Sequence, residues 1–184
     1  GVDEQFAYVS GKVVPLEDAS VSVSDRGVIY GDGLYETIRA KGGECVRLEL
    51  HLDRMFAGAR TLGFPDDLSK LDFASAIAEV LEANSLLNAR VRVTVTRGRV
   101  TAPGGMGLAS APQPTVIITA DPLIEVEPRP CRVVITSYRR DETSPLANVK
   151  TLNCLPSVMA YVEAKQAGAS DAILLNTQGN VAEG

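Results

Sequence analysis

The stretch "ARVRVTVTR" at 89–97 constrains this chain most, because Val91, Val93 and Val95 alternate with Arg90, Arg92, Thr94 and Thr96. Successive side chains of an extended strand point to opposite faces, so the valines face one way and the arginines and threonines the other. The two faces are put to different uses, one apolar and one carrying charge and hydroxyls.

Around that strand the pattern changes period several times. "SVSVS" (20–24), "LYETIRA" (34–40) and "CVRLEL" (45–50) read as short strands, with "GDG" and "KGGE" as turns. From His51 to Thr61 and from Leu68 to Glu82 the apolar residues recur at three and four, which predicts two helices separated by "LGFPDDLSK". "TVIITA" (115–120) reads as a buried strand, and "DPLIEVEPRP" (121–130), rich in proline and acid, reads as a linker. A strand at 132–137, a helix at 156–169 with Pro156 near its start, and a strand at 171–181 entering a tight turn complete the chain. This order predicts an α+β protein with an N-terminal domain at 1–120, a linker at 121–130 and a C-terminal domain at 131–184. Two strands and one helix are too little to close a core, so the C-terminal domain is expected to be incomplete in this chain.

Composition excludes several classes of function. A net charge of −5 with a pI near 5.0 argues against a nucleic-acid partner, which would need a concentrated basic face. No apolar run approaches the roughly 20 residues that span a bilayer, and the opening "GVDEQ" is acidic where a signal peptide is basic, so no membrane partner and a cytoplasmic location are expected. The three cysteines, Cys45, Cys131 and Cys154, are widely spaced and form neither a disulfide framework nor a metal knuckle. The single histidine, His51, excludes a histidine-rich metal site.

Lys150 is the first candidate for chemistry. It sits among Pro145, Leu146, Val149, Leu152 and Leu155, with no acidic residue from Ser144 to Met159 to neutralise it. A lysine in apolar company either returns its tip to water or is chemically employed, and a partly desolvated amine can form a Schiff base with a carbonyl. Arg54, three residues after His51 on the same face of a predicted helix start, suits a phosphate beside free backbone N–H groups, or else pairs with Asp53 or Glu49. Arg92 and Arg97 could fork onto a substrate carboxylate or form cross-strand charge pairs. The glycine-rich "APGGMG" (102–107) matches neither a P-loop nor a dinucleotide fingerprint and reads as a loop.

Four blocks in order, "SDRGVIYGDGLYETIRA" (24–40), "RLELHLDRM" (47–55), "RVRVTVTRG" (90–98) and the segment from "NVKTLNCL" to "NTQGNVAEG" (148–184), resemble the fold-type IV, or class IV, pyridoxal-phosphate aminotransferases. That family includes branched-chain and D-amino-acid aminotransferases and 4-amino-4-deoxychorismate lyases. The resemblance implies a two-domain fold-type IV architecture like that of D-amino-acid aminotransferase, with pyridoxal 5'-phosphate as cofactor. Lys150 then resembles the lysine that holds the cofactor and moves the Cα proton, Arg54 the phosphate arginine, and Glu183 the carboxylate on the ring nitrogen. Tyr30, Tyr35 and Thr37 fall where the family lines its substrate pocket, and Arg92 and Arg97 where some members bind a carboxylate. The "KTLN" form, with Cys154 after Asn153, is closer to the lyase and D-amino-acid branches, while the loop after Val100 is closer to the branched-chain type. The expected activity is transamination between a small or branched amino acid and an oxo acid in a homodimer. Release of p-aminobenzoate and pyruvate, or a truncated non-catalytic remnant, are the alternatives.

Overall fold

The computed structural model describes residues 4–100, 106–107, 113–124 and 127–184, so most of the "APGGMG" loop lies outside the described residues. The chain forms two compact units, one of residues 1–124 with Lys150–Leu152, the other of residues 125–149 and 153–184.

The first unit is a six-stranded sheet with helices on one face. Its strands are β1 (Phe6–Val9), β2 (Lys12–Pro15), β3 (Gly33–Lys41), β4 (Glu44–Cys45), β5 (Ala89–Thr96) and β6 (Thr115–Pro122), in the order β2-β1-β6-β5-β3-β4. Every pairing is antiparallel. The alternation in β5 does what its sequence predicts: Val91, Val93 and Val95 are fully buried, together with Leu34, Ile38 and Ala40 of β3 and Val116 and Ile118 of β6. Helices α2 (Leu48–Thr61) and α3 (Phe73–Ala83) close this core with Met55, Ala59, Phe73, Ile77, Val80 and Leu81. Each large apolar side chain among these that is removed from water contributes about 1.5–3 kcal/mol, which fixes which face of β3 and β5 is left over.

Three expectations give way here. "SVSVS" is not a strand: the Ser22 and Ser24 hydroxyls bond each other, and Ser24 N–H donates to Ser22 Oγ, so local side-chain bonds replace a ladder. It leads into α1 (Arg26–Tyr30), a five-residue helix capped by the Asp25 carboxylate and too short to show a helical period. "CVRLEL" is a strand for only its first residue, because Arg47 takes a left-handed conformation (φ 55°) and α2 begins at Leu48. The second predicted helix divides into a 3-10 turn (Asp66–Lys70) and α3, whose N-cap is Asp72.

The second unit is a β-α-β arrangement. Strand β7 (Val133–Arg140) pairs parallel with β8 (Asp171–Asn176) through helix α4 (Leu155–Gln166), and β8 turns back into β9 (Val181–Glu183). Its apolar cluster is made of small residues, Ala160, Ala164, Ala169 and Ala172 with Leu174, while Val133, Ile135, Val158 and Val181 are exposed. No helix among the described residues is long and apolar enough to cross a membrane.

Candidate active site

Residues Lys150–Leu152 are pinned to the start of β3. Tyr35 N–H donates to Lys150 O at 3.0 Å, Leu152 N–H donates to Gly33 O at 3.0 Å, and Leu34 and Thr151 form an antiparallel bridge. Gly33 makes this approach possible: a Cβ there would lie 2.7 Å from Leu152 Cδ1 and 2.6 Å from Val95 O. The docking places the Lys150 ammonium 4.5 Å from the centre of the Tyr35 ring. The Arg92 guanidinium lies 3.9 Å from the same centre, so two cations use one aromatic ring. Thr37 is exposed on β3 directly opposite Arg92 in the register.

Lys150 itself is exposed, and so are Pro145, Leu146 and Leu155. The expected desolvation by its sequence neighbours is therefore not found among the described residues. Val149 is buried and Leu152 packs half-buried against Gly33, while Pro145, Leu146 and Leu155 stay exposed, so apolar company in sequence is only partly company in space here. What holds the lysine is the strand contact and the Tyr35 ring. Among the described residues its ammonium has no ion-pair partner.

The residue after Tyr35 is a carboxylate on the apolar register of β3. Glu36 shares its face with Leu34, Ile38 and Ala40, and its side chain is 0% exposed. A bare charge there would be very costly, and α2 supplies the partners. Arg54 Nε donates to Glu36 Oε1 at 2.7 Å and Arg54 Nη2 to Oε2 at 2.6 Å, while His51 Nδ1 lies 2.8 Å from Oε2. Burial pushes the Glu36 carboxyl up, but the bonds from Arg54 and His51 outweigh it and hold the group below its ordinary 4.5. The bond to Glu36 likewise raises Arg54.

This arrangement revises the reading of Arg54. Because α2 starts at Leu48, Arg54 lies in the second turn, beyond the free amides of the helix start, and its partner is Glu36 rather than Asp53 or Glu49. Its side chain remains 55% exposed. Glu36 escaped sequence reading, although a signal was present: an acid in the even register of "LYETIRA", between Leu34 and Ile38, demands a cation from another element.

Arg97 departs from the expected substrate role. It is 6% exposed and fully engaged: Nε donates to Asp32 Oδ2 at 2.8 Å, and Nη1 and Nη2 donate to the carbonyls of Gly63 and Leu62 just past α2. Arg26 Nε shares the same Asp32 oxygen at 2.7 Å. Burial raises the Asp32 carboxyl, yet the two arginines leave it below its ordinary 3.8. Tyr30, at the end of α1, lies exposed with the Arg26 guanidinium 5.0 Å from its ring centre.

In the second unit Glu183, on β9, is half-exposed. Ser157 Oγ donates to its Oε1 at 3.0 Å, and Arg140 Nε lies 3.3 Å from its Oε2. Neither partner was singled out from sequence, since Arg140 ends β7 and Ser157 opens α4, far from Glu183 along the chain.

The family model described as amino-transferase class IV matches residues 33–184, from the strand that carries Tyr35 and Glu36 through Lys150 to Glu183. The chain belongs to the class IV aminotransferases. It is 38% identical over 183 residues to the protein named "Putative branched-chain-amino-acid aminotransferase" of Methanocaldococcus jannaschii, covering 96% of this chain and 62% of that protein. It is 29% identical to a D-alanine aminotransferase of Bacillus licheniformis, covering 95% of this chain and 61% of that one. Among solved structures, the branched-chain aminotransferase of the thermophilic archaeon Thermoproteus uzoniensis, with norvaline, superposes with a TM-score of 0.81 at 28% identity, over 97% of this chain and 62% of that one. The 4-amino-4-deoxychorismate lyase of Pseudomonas aeruginosa superposes at 0.73 with 30% identity, over 95% and 63%. This class IV aminotransferase chain thus spans a little over three-fifths of the length of these relatives.

Proposed function

We propose that this class IV aminotransferase chain belongs to a pyridoxal-phosphate transaminase that moves an amino group between a small or branched amino acid and a 2-oxo acid. The observation that carries the reading is that the Lys150 segment is docked on β3 with its ammonium over the Tyr35 ring, while Glu36 holds Arg54 from the opposite face of the same strand. A primary amine for an aldehyde and an exposed guanidinium for a phosphate are the donors such a cofactor requires, so the residues fit the group. Glu183 of the second unit, steadied by Ser157 and Arg140, is the carboxylate for the ring nitrogen.

When bound, the cofactor supplies an aldehyde for the amino group and a ring that accepts the electron pair left as the substrate Cα–H bond breaks. Lys150 Nζ would hold that aldehyde in the resting protein. The same nitrogen, once an incoming amino group had freed it, would be the base that takes the substrate Cα proton and returns it. The strand contact at Tyr35 and Thr151 keeps that nitrogen close to one place through both jobs. Arg92, stacked on Tyr35 and opposite Thr37, presents an exposed guanidinium on that face and is proposed to orient the substrate carboxylate. Tyr30 and Thr37 complete the proposed lining. The proposed setting is a cytoplasmic homodimer, in keeping with the family resemblance.

The test is to add pyridoxal phosphate to the purified protein, reduce with borohydride and map the adduct. The reading expects a visible absorbance band bleached by reduction, a mass increment on Lys150, and glutamate formed from 2-oxoglutarate and an amino acid. An adduct on another lysine, or a colourless protein, overturns it, the latter favouring a non-catalytic remnant. The likeness to the Pseudomonas lyase supports a second reading, 4-amino-4-deoxychorismate lyase, which predicts pyruvate release from aminodeoxychorismate without an oxo-acid acceptor.

A further inference from the structure

Glu36 occupies a position where an aliphatic residue would pack on the neighbouring Leu34 and Ile38, and its carboxylate instead faces α2. An ion pair in such a place adds little net stability over a well-packed apolar side chain, so stability is a weak reason for it. Its geometry suggests another. Glu36 takes the Nε–Nη2 edge of Arg54 in a two-point contact, at 2.7 and 2.6 Å. His51 Nδ1, one helical turn before Arg54, holds Glu36 Oε2 at 2.8 Å, so the carboxylate cannot rotate away from the fork. A planar guanidinium fixed along one edge presents its other edge, Nη1 with the second Nη2 hydrogen, at a set angle. Arg54 makes no other hydrogen bond among the described residues, and more than half of its side chain is exposed.

We infer that Glu36, with His51 behind it, is a positioning residue that fixes Arg54 so that its open edge receives a phosphate; this rests on the proposed role of Arg54 as the phosphate arginine. Free arginine side chains lose rotamer freedom when they bind an anion, and a guanidinium already immobilised by a buried carboxylate loses less. Glu36 acts through Arg54 and does not touch the phosphate itself. Because its charge offsets that of Arg54, the gain is in orientation and not in net positive potential.

The inference is tested by comparing pyridoxal 5'-phosphate with pyridoxal, which lacks the phosphate, in equilibrium titrations followed by absorbance. Wild type is expected to prefer the phosphorylated form. Arg54→Ala and Glu36→Gln are each expected to weaken binding of pyridoxal phosphate by about tenfold or more while pyridoxal binding changes by less than about twofold. Glu36→Asp keeps the buried charge but withdraws it by one methylene, and is expected to lose the preference too, with thermal melts recording that the fold persists. If Glu36→Gln or Glu36→Asp weakens both ligands equally, or neither, the positioning role is overturned. If Arg54→Ala leaves the preference intact, the phosphate assignment of Arg54 is what fails, and the inference falls with it.

Discussion

The Tyr35 ring lies 4.5 Å from the Lys150 ammonium, and the backbone N–H of the same tyrosine donates to the Lys150 carbonyl. One residue of β3 therefore fixes both the main chain and the side chain of the lysine. Removing the ring while keeping the backbone separates the two roles. On the proposed role of Lys150, Tyr35→Ala is expected to leave cofactor attachment there in place but to slow turnover by about tenfold or more, because the amine is no longer confined. Borohydride trapping and steady-state kinetics on the same sample check this.

Gly33 should tolerate no side chain. Alanine there would bring a methyl to 2.6–2.7 Å of Val95 O and Leu152 Cδ1, so Gly33→Ala is expected to cost about 1–3 kcal/mol and to loosen the 150–152 segment. Amide exchange of Tyr35 and Leu152, both donors in that contact, should speed up well before the rest of β3.

Arg92 and Arg97 are expected to fail differently. Arg97→Ala strips Asp32 of one of its two arginines and leaves the Leu62 and Gly63 carbonyls unpaired, which should lower stability by about 2–4 kcal/mol in urea unfolding. Arg92→Ala, on the exposed face, should leave stability nearly unchanged and raise KM for the carboxylate substrates by about tenfold, with a smaller effect on kcat.

Acid should weaken the first unit in a defined direction. Glu36 and Asp32 have folded-state carboxyls below their ordinary 4.5 and 3.8, so the stability they contribute is present above those values and is lost as pH falls through the lower folded ones. Urea midpoints measured from pH 6 down to about 3 should fall in wild type and fall less steeply in Glu36→Gln.

Much of the scaffold could be read in advance because its signals are local. The alternation in 89–97 set β5 and its buried valines, and helical spacing after His51 set most of α2. Glu36 shows where local reading stops. Its meaning depends on Arg54, eighteen positions along and on another element, and only its place in the apolar register of "LYETIRA" hints at that need. Arg92 and Arg97 look alike in sequence. They separate only when Asp32 and two carbonyls beyond α2 gather around one of them. Lys150 stood out for its company, yet its neighbours are largely exposed and its restraint comes from β3, more than a hundred positions earlier.

The three residues from Lys150 fold with the first unit although the chain on either side of them folds with the second. Any recombination experiment must respect that. A chimera joined after Ile124 would take Lys150 from one parent and its docking strand from the other, so a mismatch between Gly33 and the donor's counterpart of Leu152 would loosen that contact even when both halves fold perfectly. Shuffling of relatives should favour crossovers that inherit "GLYE" and "KTL" from the same ancestor.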